Sequence, residues 1–369
     1  REISVFPLTK LIMDVPFFLF FCILLLVVSA GCSDDPSDPS WNTGWVVGSS
    51  TGDGYGVILH TDDGGVSWVR QGRQGMVPDV DLNDIRALDE TNVWAVGFSD
   101  SGYGTILRTW DGGRSWFRQG DRSMLPDVDF YGIGVVDGET AWVCGGKGTI
   151  LRTTDGGKNW DIQSVTGVLT RANLYVIAAV DHSNAWIVGD EDGGYAVIYR
   201  TVDGGAGWTR QGTAETVRTK GLIDISAPDG NTAWAVGVDE TILKTVDGGA
   251  VWTVQKTSVP RAGPHINGVC ALDTSNAWIA VDSDIMAHTT DGGRNWEEIR
   301  IPSSVGDGYH LLCVSAPSMT TLWVTGISFI GRSPFGEILH TGDGGEHWVR
   351  QDIPVDTMLR RVSFAGAPK

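Results

Sequence analysis

The sequence has 369 residues, of which 41% are hydrophobic and 20% are charged, and its formal net charge is −18. This composition supports a sizeable buried core and excludes a largely disordered chain. The charge excludes a nucleic-acid partner, because binding to a phosphate backbone requires a basic stripe that displaces counterions.

The N-terminal segment is predicted to be a targeting signal. Residues 17–28 form an uninterrupted apolar run, and Ser29, Ala30, Gly31 and Cys32 follow it. Small residues directly before a cysteine resemble a bacterial lipobox, so residues 1–32 are interpreted as a signal peptide with lipidation at Cys32. A single transmembrane anchor over residues 15–31 is the alternative. Either interpretation predicts an exported protein held at a bacterial membrane, with the outer membrane, the periplasm or the cell surface as its location.

A polar segment at 33–40, SDDPSDPS, is predicted to be a flexible linker, and sequence repeats begin after it. The motif T-x-D-G-G-x-x-W occurs seven times and ends at a tryptophan each time. These tryptophans are separated by 44 to 52 residues and lie at positions 68, 116, 160, 208, 252, 296 and 348. Such a period is typical of a four-stranded propeller blade with its turns.

Three further segments recur with the Asp motif. An aromatic segment such as VWAVG carries Trp45, Trp94, Trp142, Trp186, Trp234, Trp278 and Trp323. A short apolar segment such as TILR precedes each Asp motif, and a segment such as LNDIRAL opens every repeat after the first. All are short, rich in β-forming residues and bounded by turns. The sequence therefore predicts an all-β, seven-bladed β-propeller of four-stranded antiparallel blades over residues 41–369.

The order of the segments predicts how the ring closes. The first repeat lacks its innermost strand, whereas an additional innermost strand stands alone at residues 359–365. Joining the two ends completes one blade and hides two sheet edges that would otherwise favour aggregation.

The Asp motif is predicted to be structural. Its two glycines permit positive φ in a tight turn, and its Asp and Thr side chains can bond the backbone of that turn. The seven carboxylates are equivalent, whereas a catalytic role would require one special carboxylate: Asp63, Asp111, Asp155, Asp203, Asp247, Asp291 and Asp343. The motif lacks the spaced oxygen ligands of a calcium loop, and no metal or cofactor is expected. Cys144, Cys270 and Cys313 fall in predicted strands and indicate no disulfide framework.

The repeats resemble the Asp-box, or bacterial neuraminidase, repeat. The fuller pattern W-x-V-G…G-x-I-L-x-T-x-D-G-G-x-x-W is similar to the photosystem II assembly and stability factor family. That resemblance implies a scaffold that binds a membrane-protein precursor through an arginine-lined surface. The recurrent Arg70, Arg118, Arg210 and Arg350 of the W-x-R-Q pattern are candidates for such a surface, and solvated edge-strand charge is the alternative.

A ligand is expected on the face opposite the Asp motifs. Polar residues that directly precede the innermost strands should surround the channel mouth: Asp81, Asp129, Asn173, His265 and His310. Loops between second and third strands add aromatic side chains that we expect to be exposed: Tyr55, Tyr103, Tyr195 and Phe329. Polar groups beside exposed aromatics suit protein or glycan recognition, although Asp and Asn are also plain turn formers.

The regular repeats predict a binding scaffold rather than an enzyme. The expected partner is another envelope protein or a polysaccharide, and the protein is expected to be a monomer. Two alternatives stay open, a carbohydrate-binding propeller and a sialidase-like glycoside hydrolase. The hydrolase would need two carboxylates across a cleft, and no insertion is large enough to build a cleft wall.

Overall fold

A computed structural model describes residues 41–163, 171–256, 265–306, 308–328 and 335–366. The predicted signal peptide, Cys32, the linker and Phe329 lie outside the described residues. In the described part of the chain, no helix is long and apolar enough to cross a membrane.

Seven antiparallel sheets of four strands each form the blades. Blade 1 contains β1 (Gly44–Gly48), β2 (Val57–Thr61) and β3 (Val69–Gln71), and blade 2 contains β4 (Leu82–Ala87), β5 (Val93–Asp100), β6 (Tyr103–Thr109) and β7 (Phe117–Arg118). Blade 3 contains β8 (Phe130–Val135), β9 (Ala141–Gly145), β10 (Ile150–Thr153) and β11 (Asp161–Ile162), with a short 3-10 turn at Gly146–Gly148.

The remaining blades repeat this order from the innermost strand outward. Blade 4 contains β12 (Leu174–Ala179), β13 (Ala185–Glu191), β14 (Ala196–Thr201) and β15 (Thr209–Arg210). Blade 5 contains β16 (Leu222–Ser226), β17 (Ala233–Gly237), β18 (Ile242–Thr245) and β19 (Thr253–Val254). Blade 6 contains β20 (Ile266–Ala271), β21 (Ala277–Val281), β22 (Ile285–Thr289) and β23 (Glu297–Arg300). Blade 7 contains β24 (Tyr309–Ser315), β25 (Leu322–Ser328), β26 (Phe335–Thr341) and β27 (Val349–Arg350).

The last strand, β28 (Leu359–Phe364), closes the ring. It is the innermost strand of blade 1, where the strand order is β28-β1-β2-β3. It runs antiparallel to β1, with Gly44 opposite Phe364 and Val46 opposite Val362. The Phe364 ring stacks on Trp323 of blade 7 at a centroid distance of 3.6 Å. The seven-bladed propeller and its closure by the C-terminal strand are therefore confirmed.

Tryptophan side chains fill the space between blades. Each blade contributes one tryptophan from its second strand and one from its Asp motif, and the fourteen side chains are buried. Trp94 of blade 2 meets Trp160 of blade 3 edge-to-face, with ring centroids 5.9 Å apart. Gly157, at φ 86°, lies against the same Trp94 ring, where an added Cβ would come within 3.0 Å of it. The spacing between neighbouring blades thus depends on a tryptophan ring and on a glycine that leaves room for that ring.

Each of the seven innermost strands, β28 included, carries a one-residue irregularity near its start. In β4, Leu82 pairs with Gly97 and Asp84 pairs with Val96, which leaves Asn83 without a cross-strand partner. The same irregularity leaves Tyr131 of β8 and Tyr175 of β12 unpaired. A bulge of this kind redirects a side chain out of the ladder.

Candidate functional site

The Asp-motif turns are saturated with internal hydrogen bonds. In blade 1 the Thr61 hydroxyl donates to Asp63 Oδ1 at 2.7 Å and accepts from the Gly65 N–H at 2.8 Å. The same Oδ1 accepts from the Ser67 N–H at 2.8 Å, and Oδ2 accepts from the Ser67 hydroxyl at 2.6 Å. The carboxylate therefore holds its own turn together.

The other six turns repeat the bond between the Thr hydroxyl and the Asp carboxylate and the bond from the N–H four residues after the Asp. The carboxylates concerned are Asp111, Asp155, Asp203, Asp247, Asp291 and Asp343. The backbone N–H of Asn295, with the Asn295 and Thr289 side chains, lowers the pKa of Asp291 to about 2. Charged acceptors of this kind are stable and unreactive, which suits a structural role.

The turn of blade 7 also brings together three side chains that could ligate a metal. Oxygen and nitrogen atoms of Asp343, Glu346 and His347 lie within 4.8 Å of one another, and all three residues are exposed. Asp343 already accepts hydrogen bonds from the His347 backbone and ring. We interpret these three side chains as part of the turn and not as a metal site.

The propeller has two different faces. The Asp-motif turns form the lower face, where the Gly64 N–H donates to the Asn42 carbonyl at 2.9 Å and the Gly112 N–H donates to the Thr91 carbonyl at 3.1 Å. The upper face carries the loops that lead into the innermost strands and the loops between second and third strands. Those predicted ligand residues that the structure describes lie on this upper face.

The polar residues predicted at the channel mouth share some partners and differ in others. Asp81 and Asp129 each accept a backbone N–H at 2.9 Å, from Ser50 and Ser99 respectively, and Asp81 also accepts from Arg360 at 2.7 Å. Asn173 donates to Asp190 at 3.1 Å.

Two histidines complete the predicted set of mouth residues. The His265 carbonyl accepts from the Asp282 N–H at 2.9 Å. The His310 Nδ1 lies 2.6 Å from an Asp282 carboxylate oxygen. His310 differs from its expected position directly before the strand, because β24 begins at Tyr309, two residues earlier than expected, and includes His310.

The expectation of exposed tyrosines in the upper loops is wrong. Tyr55, Tyr103 and Tyr195 are half-buried, and each ring lies beneath an arginine of its own blade's outermost strand. The guanidinium carbons of Arg70, Arg118 and Arg210 lie 3.9, 3.8 and 4.0 Å from the respective ring centroids. The reason is that the W-x-R-Q arginine reaches across its blade to the loop between the second and third strands.

These arginines are also bonded to acidic or carbonyl groups. Arg70 pairs with Asp53 at 2.5 Å, and Arg118 pairs with Asp100 at 2.6 Å. Arg210 donates to the backbone oxygens of Asp192 and Tyr195. Arg350 pairs with Glu337 at 2.6 Å. The four recurrent arginines are therefore engaged within their own blades.

The channel interior contains an ion cluster that sequence reasoning missed. Arg361 of β28 pairs with Asp224 of β16 at 3.0 Å and with Asp84 of β4 at 3.2 Å. The two carboxylate side chains are only 2% and 0% exposed. Each also accepts the backbone N–H of the next innermost strand, from Val269 and Ile133 respectively.

This cluster crosses the channel below the mouth. The cavity beside it measures about 20 Å³, room for about one water molecule, and Arg361, Asp224, Cys270 and Cys313 contribute to its lining. Both thiols are free and buried, and burial raises the pKa of Cys270 to about 12. Aligning the innermost strands gives the one sequence signal for these residues, because Asp84, Asp224 and Arg361 occupy the same position of LNDIRAL, LIDISAP and LRRVSFA, but the alignment does not show which of them pair.

Solved structures with this architecture are numerous. A structure described as "YCF48 bound to D1 peptide" is 21% identical, with a TM-score of 0.58, and the alignment covers 76% of this chain and 85% of that one. YCF48 from Cyanidioschyzon merolae is 20% identical, with a TM-score of 0.56 and coverages of 77% and 95%. The GH74 enzyme of Niastella koreensis is 12% identical, with a TM-score of 0.55 and coverages of 89% and 69%. At these identities the solved structures establish the fold.

Comparison with curated proteins found no match. A family model described as photosynthesis system II assembly factor YCF48 matches residues 126–195 and 213–351, more than half of the chain. The matched residues include four of the seven Asp motifs and the two bulge residues Tyr131 and Tyr175. This chain belongs to the YCF48 family of photosynthesis system II assembly factors.

Proposed function

We propose that this protein is a protein-binding assembly scaffold and that its upper face is the binding surface. One observation carries the proposal: the lower face repeats one saturated turn seven times, whereas the mouth residues of the upper face differ from blade to blade. A surface that recognises one particular partner needs side chains that differ in this way. A family relative described as bound to a D1 peptide supports a polypeptide as the class of partner.

The buried carboxylates support a scaffold over a glycoside hydrolase. Asp84 and Asp224 face the channel, but Arg361 and backbone N–H groups occupy their oxygens. A hydrolase would need two carboxylates free to transfer a proton and to act on a sugar carbon. Likeness to GH74 structures at 12% identity concerns the fold.

The cellular setting of the proposal is the bacterial envelope. The apolar run at 17–28 and the small residues before Cys32 support export and lipid anchoring at that cysteine. An alkyne-palmitate label should then enter the wild-type protein, and the Cys32→Ser variant should lose that label. Labelling that persists in the variant would contradict an anchor at Cys32.

Site-directed photo-crosslinking tests the binding face. Lys147 lies on the upper face of blade 3, Lys158 lies in the Asp-motif turn of the same blade, and both are exposed. A photo-reactive amino acid replaces one or the other in the full chain, and whole cells are irradiated before membranes are extracted. We expect a discrete crosslinked protein from position 147 and none from position 158.

The outcomes separate the candidate partners. Equal crosslinking from both positions, or none from position 147, would refute the upper-face scaffold. A crosslinked product whose added mass a glycosidase removes, and which yields no peptides of a second protein, would replace the protein partner with a polysaccharide.

A further inference from the structure

The upper face contains an internally repeated arrangement of arginine, tyrosine and carboxylate. Arg70 lies over the Tyr55 ring and pairs with Asp53, and blade 2 repeats the arrangement with its own arginine, tyrosine and aspartate. In each case the guanidinium gains both the face of an aromatic ring and a charge-assisted hydrogen bond. The fold thus shows twice how its tyrosine–aspartate pairs hold a guanidinium.

The channel mouth between blades 3 and 4 has the same tyrosine and carboxylate groups. The bulge residues Tyr131 and Tyr175 meet with ring centroids 5.7 Å apart and an interplanar angle of 61°. The Tyr175 hydroxyl donates to Asp190 at 2.6 Å, and Asn173 donates to the other oxygen of the same carboxylate. Burial, together with the charges of Asp129 and Asp190, raises the pKa of Tyr131.

The arginine is the part that this second arrangement lacks. Within the described residues, no Lys or Arg lies over the Tyr131 or Tyr175 ring, and no ion pair joins Asp129 or Asp190 to a basic side chain. The nearby Arg171 is exposed and belongs to no ion pair within that part of the chain. Across the mouth, by contrast, Asp81 already holds Arg360 at 2.7 Å.

Charge and shape both favour a cationic side chain as the occupant. The protein carries a net charge of −18, so a basic segment is attracted toward it over long range. The ion cluster of Arg361 crosses the channel below the mouth and limits how far an inserted side chain can enter. An acidic segment would meet uncompensated carboxylates at this position.

We propose that the mouth formed by Tyr131, Tyr175, Asp129 and Asp190, here called the acid–aromatic mouth, binds an arginine or lysine side chain of a basic polypeptide segment. The partner's cation would complete the arrangement that the first two blades build internally. The inference rests on the proposed function and names the chemistry of its partner. It is distinct from recognition through the protein's own arginines, which are engaged within their blades.

The test uses the full chain and a defined pair of peptides. A fluorescein-labelled peptide, Ser-Gly-Arg-Arg-Gly-Ser, is compared by anisotropy with the same peptide carrying citrulline in place of each arginine. Citrulline keeps the shape and removes the charge. We expect the arginine peptide to bind on the order of tenfold more tightly, because one cation–π contact and one charge-assisted bond are lost with citrulline.

Variants test whether the preference for the arginine peptide arises at the acid–aromatic mouth. Tyr131→Leu and the double variant Asp129→Asn/Asp190→Asn should each remove most of the preference for arginine. Asp121→Asn is the matched control, because Asp121 is an exposed upper-face carboxylate that bonds Ser123 instead of the mouth. Asparagine at position 129 can still accept the Ser99 N–H, and unchanged melting temperatures should verify that each variant is folded.

Three results would overturn the inference: equal binding of the two peptides, absence of measurable binding, or an equal loss in the Asp121 control. A crosslink from position 147 together with any of these results would retain the scaffold and reject only the cationic partner. Without that crosslink, the scaffold proposal itself would fail.

Discussion

The Asp-motif turns and the channel interior are built from the same repeat but behave differently. Every turn on the lower face makes the same bonds from its Thr and Asp, so a half-buried carboxylate such as Asp291 keeps a pKa of about 2. In the channel interior, equivalent strand positions hold Asp84, Asp224 and Arg361. Arg361 forms ion pairs with both carboxylates, and these ion pairs connect three blades. Uniform positions stabilise each blade separately, whereas divergent positions connect distant blades and form the surface that can recognise a partner.

Removing the closing strand should have the largest effect. Deleting residues 358–369 removes the buried Leu359, Val362 and Phe364, and it exposes an edge on β1. At roughly 1.5–3 kcal/mol for each buried side chain, the loss is at least about 5 kcal/mol, and we expect a much lower Tm by calorimetry. Deleting only residues 367–369 is the control. An unchanged Tm in the longer deletion would contradict closure by β28.

The interior ion cluster should show the next largest effect. Arg361→Met leaves the buried Asp224 without its cation and Asp84 with only the longer contact to Arg86 at 3.9 Å, which should cost about 3 to 5 kcal/mol of unfolding free energy in urea titrations. Arg360→Met is the matched control at the neighbouring position, where the side chain is 30% exposed and the expected cost is about 1 kcal/mol or less. Equal costs at the two positions would show that the cluster does not connect the blades.

Acid should weaken the lower face gradually. The hydrogen bonds of each turn favour the charged Asp, so its folded-state pKa lies below the ordinary value of 3.8, at about 2 for Asp291. The stabilisation is therefore fully present above pH 4 and is lost as the pH falls toward 2.

The corresponding measurement is Tm as a function of pH for the wild type and for Asp291→Asn. The variant should show a shallower decline of Tm between pH 4 and 2, because one of the seven titrating turns has been made neutral. Parallel curves for the two proteins would contradict a stabilising role for the charged form of this carboxylate.

Sequence periodicity was sufficient to predict the blades and their closure. Tryptophans such as Trp94 and Trp160 recur at fixed positions, and the propeller buries them at equivalent places. The surroundings of the upper-face tyrosines could not be predicted from this periodicity. A pattern shows that Tyr55 lies in a loop, but the position of Arg70 above its ring depends on how two strands of the blade approach each other.

The sequence by itself determined the number of blades, the strand order, the closing strand and the Asp turns, because each follows from sequence segments that recur in a fixed order and at a regular spacing. Only the tertiary structure decided which charged side chains meet. Asp224 and Arg361 are separated by 137 residues and become neighbours because the ring brings their innermost strands around one axis. The bulges at Tyr131 and Tyr175 likewise join two blades at the acid–aromatic mouth. Neither the ion pair nor the contact between the two tyrosines can be predicted from a local sequence pattern, because both depend on the curvature of the closed ring.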